Sequence, residues 1–166
     1  MLITSHDAVV SALKEHGVIP DVIDEFQVSG LLTLHYGKEK DVNLGNQLTI
    51  EATAKSPNVW FATDDQNTED QFTRANPIRR EWRHWVVGNI PANAELNKAT
   101  TLTTYNGPTP PPGTGKHRYV FVLFKQPQCD IKYDPLPESR EKFNTREFAK
   151  KYGLEIVTAN FFFCEN

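Results

Sequence analysis

The chain has 166 residues, of which 39% are hydrophobic and 11% aromatic, so it can fold as a single domain, residues 1–166, around a sizeable core. The formal net charge of −3 argues against a protein that coats a nucleic acid backbone, because such a protein needs a basic surface. The densest basic cluster is interrupted by apolar and acidic residues, so we expect no nucleic-acid partner; its members are Arg74, Arg79, Arg80 and Arg83.

The first 20 residues are predicted to form an N-terminal helical segment. Residues 5–16 have the pattern of a short helix that Ser5 or Thr4 can cap and that Gly17 can end. Its apolar face is formed by Val9, Val10 and Leu13. This segment lacks the basic leader and long apolar core of a signal peptide, and no apolar run in the chain approaches transmembrane length. We therefore expect a cytoplasmic protein.

Strands dominate the rest of the chain. The predicted strands are, in order, GLLTLHYG, NQLTIEA, NVWFAT, EWRHWVVGNI, HRYVFVLF and LEIVTANFFF. One clear helix, NTREFAKKYG, is capped by Asn144 and ended by Gly153. The strands follow one another without regular helical crossovers, which predicts a mainly antiparallel sandwich or barrel with peripheral helices.

The two cysteines, Cys129 and Cys164, are too few and too far apart for a zinc site or a disulfide framework. In a cytoplasmic protein we expect both to be reduced thiols.

Two predicted strands each carry a histidine near an aromatic residue. Alternate residues of a strand share a face, so His117 and Tyr119 point one way, together with Phe121 and Leu123, while Arg118 points the other way. We therefore interpret Arg118 as a structural ion-pair residue. The same alternation places three residues of EWRHWVV on one face: Trp82, His84 and Val86. Neighbouring strands would bring the two histidines together above an apolar floor, as in many ligand sites.

A loop rich in proline and glycine, YNGPTPPPGTGK, leads into His117. Glycine lets backbone N–H groups approach a ligand, and proline limits the entropy lost when a loop is ordered. Asp64 follows the predicted strand NVWFAT, at a strand end where a site carboxylate often lies. With His84 and His117 it could bind a transition metal or orient the imidazoles around a phosphate, and spacing alone does not choose between the two.

The segments REWRHWVVGNIP and YNGPTPPPGTGKHRYVFVLFKQ closely resemble the two signature segments of the phosphatidylethanolamine-binding protein family. The resemblance extends from about residue 20 to the end of the chain. It implies an antiparallel β-sandwich of Greek-key type with a few peripheral helices. It also implies a small site for phosphate-like anions and phospholipid head groups, formed by Asp64, Trp82, His84, Gly107, Pro110, Pro111, His117 and Tyr119.

The resemblance further implies a regulator of a kinase, a protease or another signalling partner, not an enzyme, with no cofactor and with room for peripheral membrane contact.

The sequence departs from the family's pattern in two places. The family's DPDAP segment is replaced by TDDQNTED, which leaves Asp64 or Asp70 as the site acid and adds negative charge nearby. The chain also ends at FFFCEN, so we expect the family's C-terminal helix to be missing.

Two alternatives remain at the level of sequence. The altered segment could mark a pure protein-interaction module whose ligand site is degenerate, with residues 65–79 in the binding surface. The second alternative is a metal-dependent hydrolase that uses Asp64, His84 and His117.

Overall fold

A computed structural model describes residues 5–38, 40–63, 70–73 and 81–166. The helices are α1 (His6–Glu15), α2 (Val18–Asp21) and α3 (Thr145–Tyr152), with one 3-10 turn at Leu96–Lys98. The strands are β1 (Gly30–His35), β2 (Asn46–Gln47), β3 (Asn58–Thr63), β4 (Asp70–Thr73), β5 (Val86–Ile90), β6 (Thr100–Thr103), β7 (His117–Lys125) and β8 (Glu155–Cys164).

The strands form two sheets. One is two-stranded and pairs β1 with β3; the other is six-stranded in the order β2-β8-β7-β4-β5-β6. Every pairing is antiparallel except that of β2 with β8. The mainly antiparallel β fold with few helices that we predicted is therefore confirmed.

Strand β7 separates the two parts of the hydrophobic core. Its residues Tyr119, Phe121 and Leu123 belong to a cluster with residues of β1 and β3, between the two sheets. The alternate residues Val120, Val122 and Phe124 belong to a second cluster with residues of α1 and α3. The predicted alternation along β7 is thus confirmed, and it places His117 at the start of a largely buried strand.

The two longer helices begin and end as predicted. The hydroxyl of Ser5 accepts a hydrogen bond from the Ala8 amide, and Gly17 follows α1 with φ of 65°. In α3 the side chain of Asn144 accepts from the Glu147 amide, and Gly153 takes the left-handed conformation. The ends of both helices are therefore fixed by local capping residues, which can be recognised in the sequence.

The prediction of a strand over NQLTIEA is mostly wrong. Only Asn46–Gln47 is a strand, and the chain turns directly after Leu48. The hydroxyl of Thr49 accepts from the Ala52 amide at 3.2 Å, and the Thr49 carbonyl accepts from the Thr53 amide at 3.2 Å. Threonine hydroxyls compete in this way with ladder hydrogen bonds and favour turns.

The predicted strand EWRHWVVGNI is shorter than expected, because β5 begins at Val86. The preceding residues bond instead to a distant segment: Glu81 exchanges two backbone hydrogen bonds with Phe143, both at 2.9 Å. Val86 packs in the cluster on the helix side of the sheet, whereas His84 contacts Tyr119 of the other cluster. The prediction that His84 and Val86 share a face is therefore wrong, since the alternation breaks before β5 begins.

Both cysteines are free thiols, as predicted: Cys129 is exposed and Cys164 is buried. Among the described residues, no helix is long and apolar enough to cross a membrane.

Candidate functional site

His84 and Asn106 are joined by two hydrogen bonds in the candidate site. The Asn106 amide donates to the His84 carbonyl at 2.9 Å, and Nδ1 of His84 lies 2.6 Å from the Asn106 carbonyl. A carbonyl only accepts, so Nδ1 must carry the proton. The imidazole is buried, and its second nitrogen, Nε2, carries a proton only when the ring is a cation.

Aromatic rings surround this imidazole. The Tyr119 ring meets it edge-on with centroids 5.4 Å apart, and the Trp82 ring lies tilted at 6.4 Å. Tyr119 in turn stacks on Phe162 at 5.3 Å. An apolar floor is thus present beneath His84, and it is supplied jointly by β7 and β8.

His117 is held from the other end of the loop that joins β6 to β7. The Thr114 hydroxyl donates to the Pro111 carbonyl at 2.7 Å and lies 2.6 Å from Nε2 of His117. A hydroxyl has one proton, so Thr114 must accept from an Nε2–H group of His117. The two histidines are therefore fixed as opposite tautomers by oxygens of the same loop.

Two further contacts anchor this loop, which we call the 104–116 loop. A Cβ atom on Gly107 would lie 2.8 Å from the Thr53 carbonyl and 3.1 Å from Cα of Ala54, so only glycine fits there without displacement. The Asn166 side chain donates to the Pro110 carbonyl at 3.3 Å. The loop is thus in contact with the turn after β2 and with the end of the chain.

These contacts bring most of the predicted site residues into one region. Rings of Trp82, His84 and Tyr119 are in contact, and His117 precedes Tyr119 by two residues on the same face of β7. Gly107, Pro110 and Pro111 lie in the loop between Asn106 and Thr114, whose oxygens bind the two histidines. Their roles in ligand binding stay predictions.

The two candidate acids differ. Asp64 lies outside the described residues. Asp70 pairs with Lys125, at the opposite end of β7 from His117. The two ends of the nine-residue strand are roughly 26 Å apart, at a rise of about 3.3 Å for each residue-to-residue step. The prediction that Asp70 could replace Asp64 in the site is therefore wrong.

Arg118 points away from the site, as predicted. Its guanidinium donates to the His16 carbonyl and lies 3.3 Å from a carboxylate oxygen of Asp21. The interpretation of Arg118 as a structural ion-pair residue, tying β7 to the N-terminal helices, is confirmed.

Arg140 is a residue of the site region that sequence reasoning missed. Its Nη1 atom lies 3.2, 3.0 and 2.9 Å from the carbonyls of Arg83, His84 and Thr104. Its Nη2 atom donates to the Thr104 hydroxyl at 3.2 Å. The partners are backbone oxygens far away in sequence, so no local pattern pointed to them. Thr114 and Asn106 were missed as well, although the spacing from Thr114 to His117 is short enough to have suggested a contact.

Two buried ionisable residues, Glu81 and Arg83, precede His84 in the chain. Burial raises the pKa of Glu81 above its usual value, although hydrogen bonds from Thr145 oppose this shift. Burial lowers the pKa of Arg83, and the neighbouring Arg140 charge adds to the effect. Arg83 packs on the Phe143 ring at 5.6 Å, so it does not contribute to a basic surface patch.

A metal site was the basis of the hydrolase alternative. Within the part of the chain that is described, no group of three or more His, Cys, Asp or Glu residues could hold a metal ion. The proposed set includes Asp64, which lies outside that part, so the alternative stays untested.

Comparison with known proteins assigns the family. The family model described as phosphatidylethanolamine-binding protein matches residues 22–162. The chain belongs to the phosphatidylethanolamine-binding protein family. Among curated relatives, it is 32% identical to TERMINAL FLOWER 1 of Arabidopsis thaliana, with 93% of this chain and 90% of that protein covered. It is 34% identical to FLOWERING LOCUS T of the same plant, with 89% and 87% covered.

Solved structures of the family agree with the fold. The carboxypeptidase Y inhibitor, in complex with its cognate proteinase, superposes with a TM-score of 0.87 at 27% identity, covering 99% of this chain and 98% of the inhibitor. The phosphatidylethanolamine-binding protein of Plasmodium vivax superposes with a TM-score of 0.78 at 22% identity, covering 95% and 97%. The second likeness bears on the fold alone.

Proposed function

We propose that this protein is a non-enzymatic cytoplasmic regulator that binds a phosphate-like anion, such as a phospholipid head group. The observation that supports this most is the pair of histidines held by one loop: His84 by the Asn106 carbonyl and His117 by the Thr114 hydroxyl. Two oriented imidazoles, with aromatic rings beneath His84, would form a small polar site on an apolar base, which is how ligand sites are commonly built.

The held tautomers define how an anion would bind. Nδ1–H of His84 and Nε2–H of His117 donate to the loop, so in this proposal an anion would bind through the other nitrogen of each ring. That nitrogen donates to an anion only when the ring is protonated, or accepts from the hydroxyl of a singly protonated phosphate. Either case places one proton between imidazole and phosphate, so binding should weaken at high pH, where that shared proton is lost.

The loop supplies the remaining wall of the proposed site. Gly107, Pro110 and Pro111 would border the ligand, Trp82 would pack against it, and Tyr119 would add a hydroxyl. In this proposal Asp64 is a further residue of the ligand site. A phospholipid head group would bring the protein into peripheral contact with a membrane.

Binding is tested by NMR titration of the histidine side chains with inorganic phosphate and with phosphorylethanolamine. We expect the His84 and His117 signals to shift with both ligands, and His117→Gln to weaken affinity by about tenfold, the loss of one charge-assisted hydrogen bond. His35→Gln is the matched control, since His35 lies on β1 beside Asp41 in the other sheet. Unchanged signals at millimolar concentrations of either ligand would refute the proposal.

A second candidate is a protein-interaction module with a degenerate ligand site. It is supported by the likeness to an inhibitor that was solved in complex with its proteinase, and the partner would be a protease or a kinase. The two candidates are separated by combining the phosphate titration with an assay of carboxypeptidase Y inhibition. Inhibition without any phosphate response would favour the interaction module, and a phosphate response without inhibition would favour the anion-binding regulator.

A further inference from the structure

We infer that Arg140 is a positioning residue for the candidate site, holding His84 and the start of the 104–116 loop in register. This inference rests on the proposed function, because the site it positions is the proposed anion site. The guanidinium lies within 3.2 Å of the carbonyls of Arg83, His84 and Thr104, and of the Thr104 hydroxyl. One side chain therefore joins the segment before β5 to the segment after β6.

The segment that carries His84 needs contacts from another part of the chain to hold it in place. It precedes β5 and has no place in the sheet ladder, so its backbone depends on partners elsewhere. The Arg83 amide donates to the Arg140 carbonyl at 2.8 Å, and Glu81 exchanges backbone hydrogen bonds with Phe143. Main chain and side chain of Arg140 thus both hold this segment.

The His84–Asn106 pair depends on the same register. Asn106 lies two residues after Thr104, and its amide and carbonyl both bond to His84. The His84 carbonyl accepts from Asn106 and from Arg140 at once, at 2.9 and 3.0 Å. If Arg140 is lost, Thr104 and His84 can shift relative to each other, and the bond that fixes the His84 tautomer loosens.

The chemistry of the side chain explains why arginine stands here. A guanidinium is planar, stays charged and presents several N–H donors in a rigid fork. A lysine ammonium is a compact point charge and cannot span two backbone segments with the same directions. No conservative replacement should therefore restore the geometry fully, although lysine keeps the charge and should restore part of it.

The test compares Arg140→Met, Arg140→Lys and the control Arg146→Met. Arg146 lies on α3 and bonds to Asp24 and to the Pro20 carbonyl, so its loss costs stability without touching His84. Two quantities are measured for each protein: the side-chain ¹⁵N signals of His84, which report its tautomer without any ligand, and phosphate affinity. The melting temperature is recorded to compare losses of stability.

We expect Arg140→Met to shift the His84 signals away from the Nδ1–H tautomer and to weaken phosphate binding by about tenfold. Arg140→Lys should fall between the wild type and Arg140→Met, and Arg146→Met should leave both quantities unchanged. Unchanged His84 signals in a folded Arg140→Met protein would overturn the inference. If wild-type protein binds no phosphate, the proposed function fails, while the tautomer measurement still decides the role of Arg140.

Discussion

His84 and Asn106 hold each other through two hydrogen bonds, one from the Asn106 amide to the His84 carbonyl and one from the His84 ring to the Asn106 carbonyl. The second bond assigns the ring proton to Nδ1, because a carbonyl cannot donate. At the far end of the same loop, Thr114 assigns the His117 proton to Nε2. The loop conformation and the tautomers of both histidines are therefore linked. A change in the loop should alter the NMR signals of both rings.

Gly107→Ala tests the close packing of the loop. The new Cβ atom would meet the Thr53 carbonyl at 2.8 Å, so the loop or the turn at Thr53 must move. We expect a loss of about 1–3 kcal/mol in the free energy of unfolding, as for overpacking elsewhere, together with shifted His84 signals. Urea unfolding and NMR spectra of the variant measure the two effects.

Gly113→Ala is the matched control in the same loop. A Cβ atom there meets nothing within 4 Å, and the only penalty is the φ of 74°, which costs about 1 kcal/mol. His84 signals should be unchanged in this variant. Equal effects of the two substitutions on His84 would show that the contact with Thr53 is unimportant.

Glu81 should make stability depend on pH. Burial raises its pKa above the usual 4.5, so the folded protein holds this proton more tightly than the unfolded chain does. The contribution of protonated Glu81 to the free energy of unfolding is complete below the usual pKa. It is lost as the pH rises through the folded-state pKa. Glu81→Gln cannot ionise, so the stability of the wild type relative to this variant should fall as pH rises from about 4 to about 7. Urea unfolding of both proteins over this range measures the difference; a constant or growing difference would count against the buried carboxylate as its source.

Arg118→Gln separates structural support of β7 from ligand binding. The pair with Asp21 is partly exposed, so we expect a loss of about 1 kcal/mol in stability. Phosphate affinity should stay within twofold of wild type, because the side chain lies on the face opposite His117. Calorimetric titration with phosphate checks this, and a large loss of affinity would mean that Arg118 reaches the ligand.

The two thiols should differ in reactivity. Cys129 is exposed and Cys164 is fully buried, so a thiol reagent such as 5,5′-dithiobis(2-nitrobenzoate) should modify one cysteine in the native protein and both in denaturant. Cys129→Ser should abolish the native reaction. Rapid modification of Cys164 in the native state would indicate that β8 opens near His117, its register partner.

Predictions from the sequence were mostly confirmed where local rules determine the structure. Alternation along β7 correctly placed Tyr119 and Arg118 on opposite faces, and capping residues correctly bounded α1 and α3. The same rules failed at Thr49, where a hydroxyl bond turned a predicted strand into a turn. Resemblance to the family, and not periodicity, led to the loop residues at Gly107, Pro110 and Pro111.

The contacts that shape the candidate site could not be predicted in this way. Asn106 acts through its backbone carbonyl, and any residue type has one, so composition carries no signal for it. Arg140 reaches carbonyls more than thirty residues away in the chain, as its separations of 57, 56 and 36 residues show. Such contacts follow from the packing of non-adjacent segments, which a single sequence does not display.

The two loop-held histidines are the centre of the proposed anion site, and long-range ¹H–¹⁵N NMR of the wild-type protein tests their tautomers most directly. Spectra recorded at about pH 9, where free imidazoles are neutral, show which ring nitrogen carries the proton. We predict Nδ1–H for His84 and Nε2–H for His117. The opposite tautomer at either ring, or the averaged signals of a freely exchanging imidazole, would contradict the account.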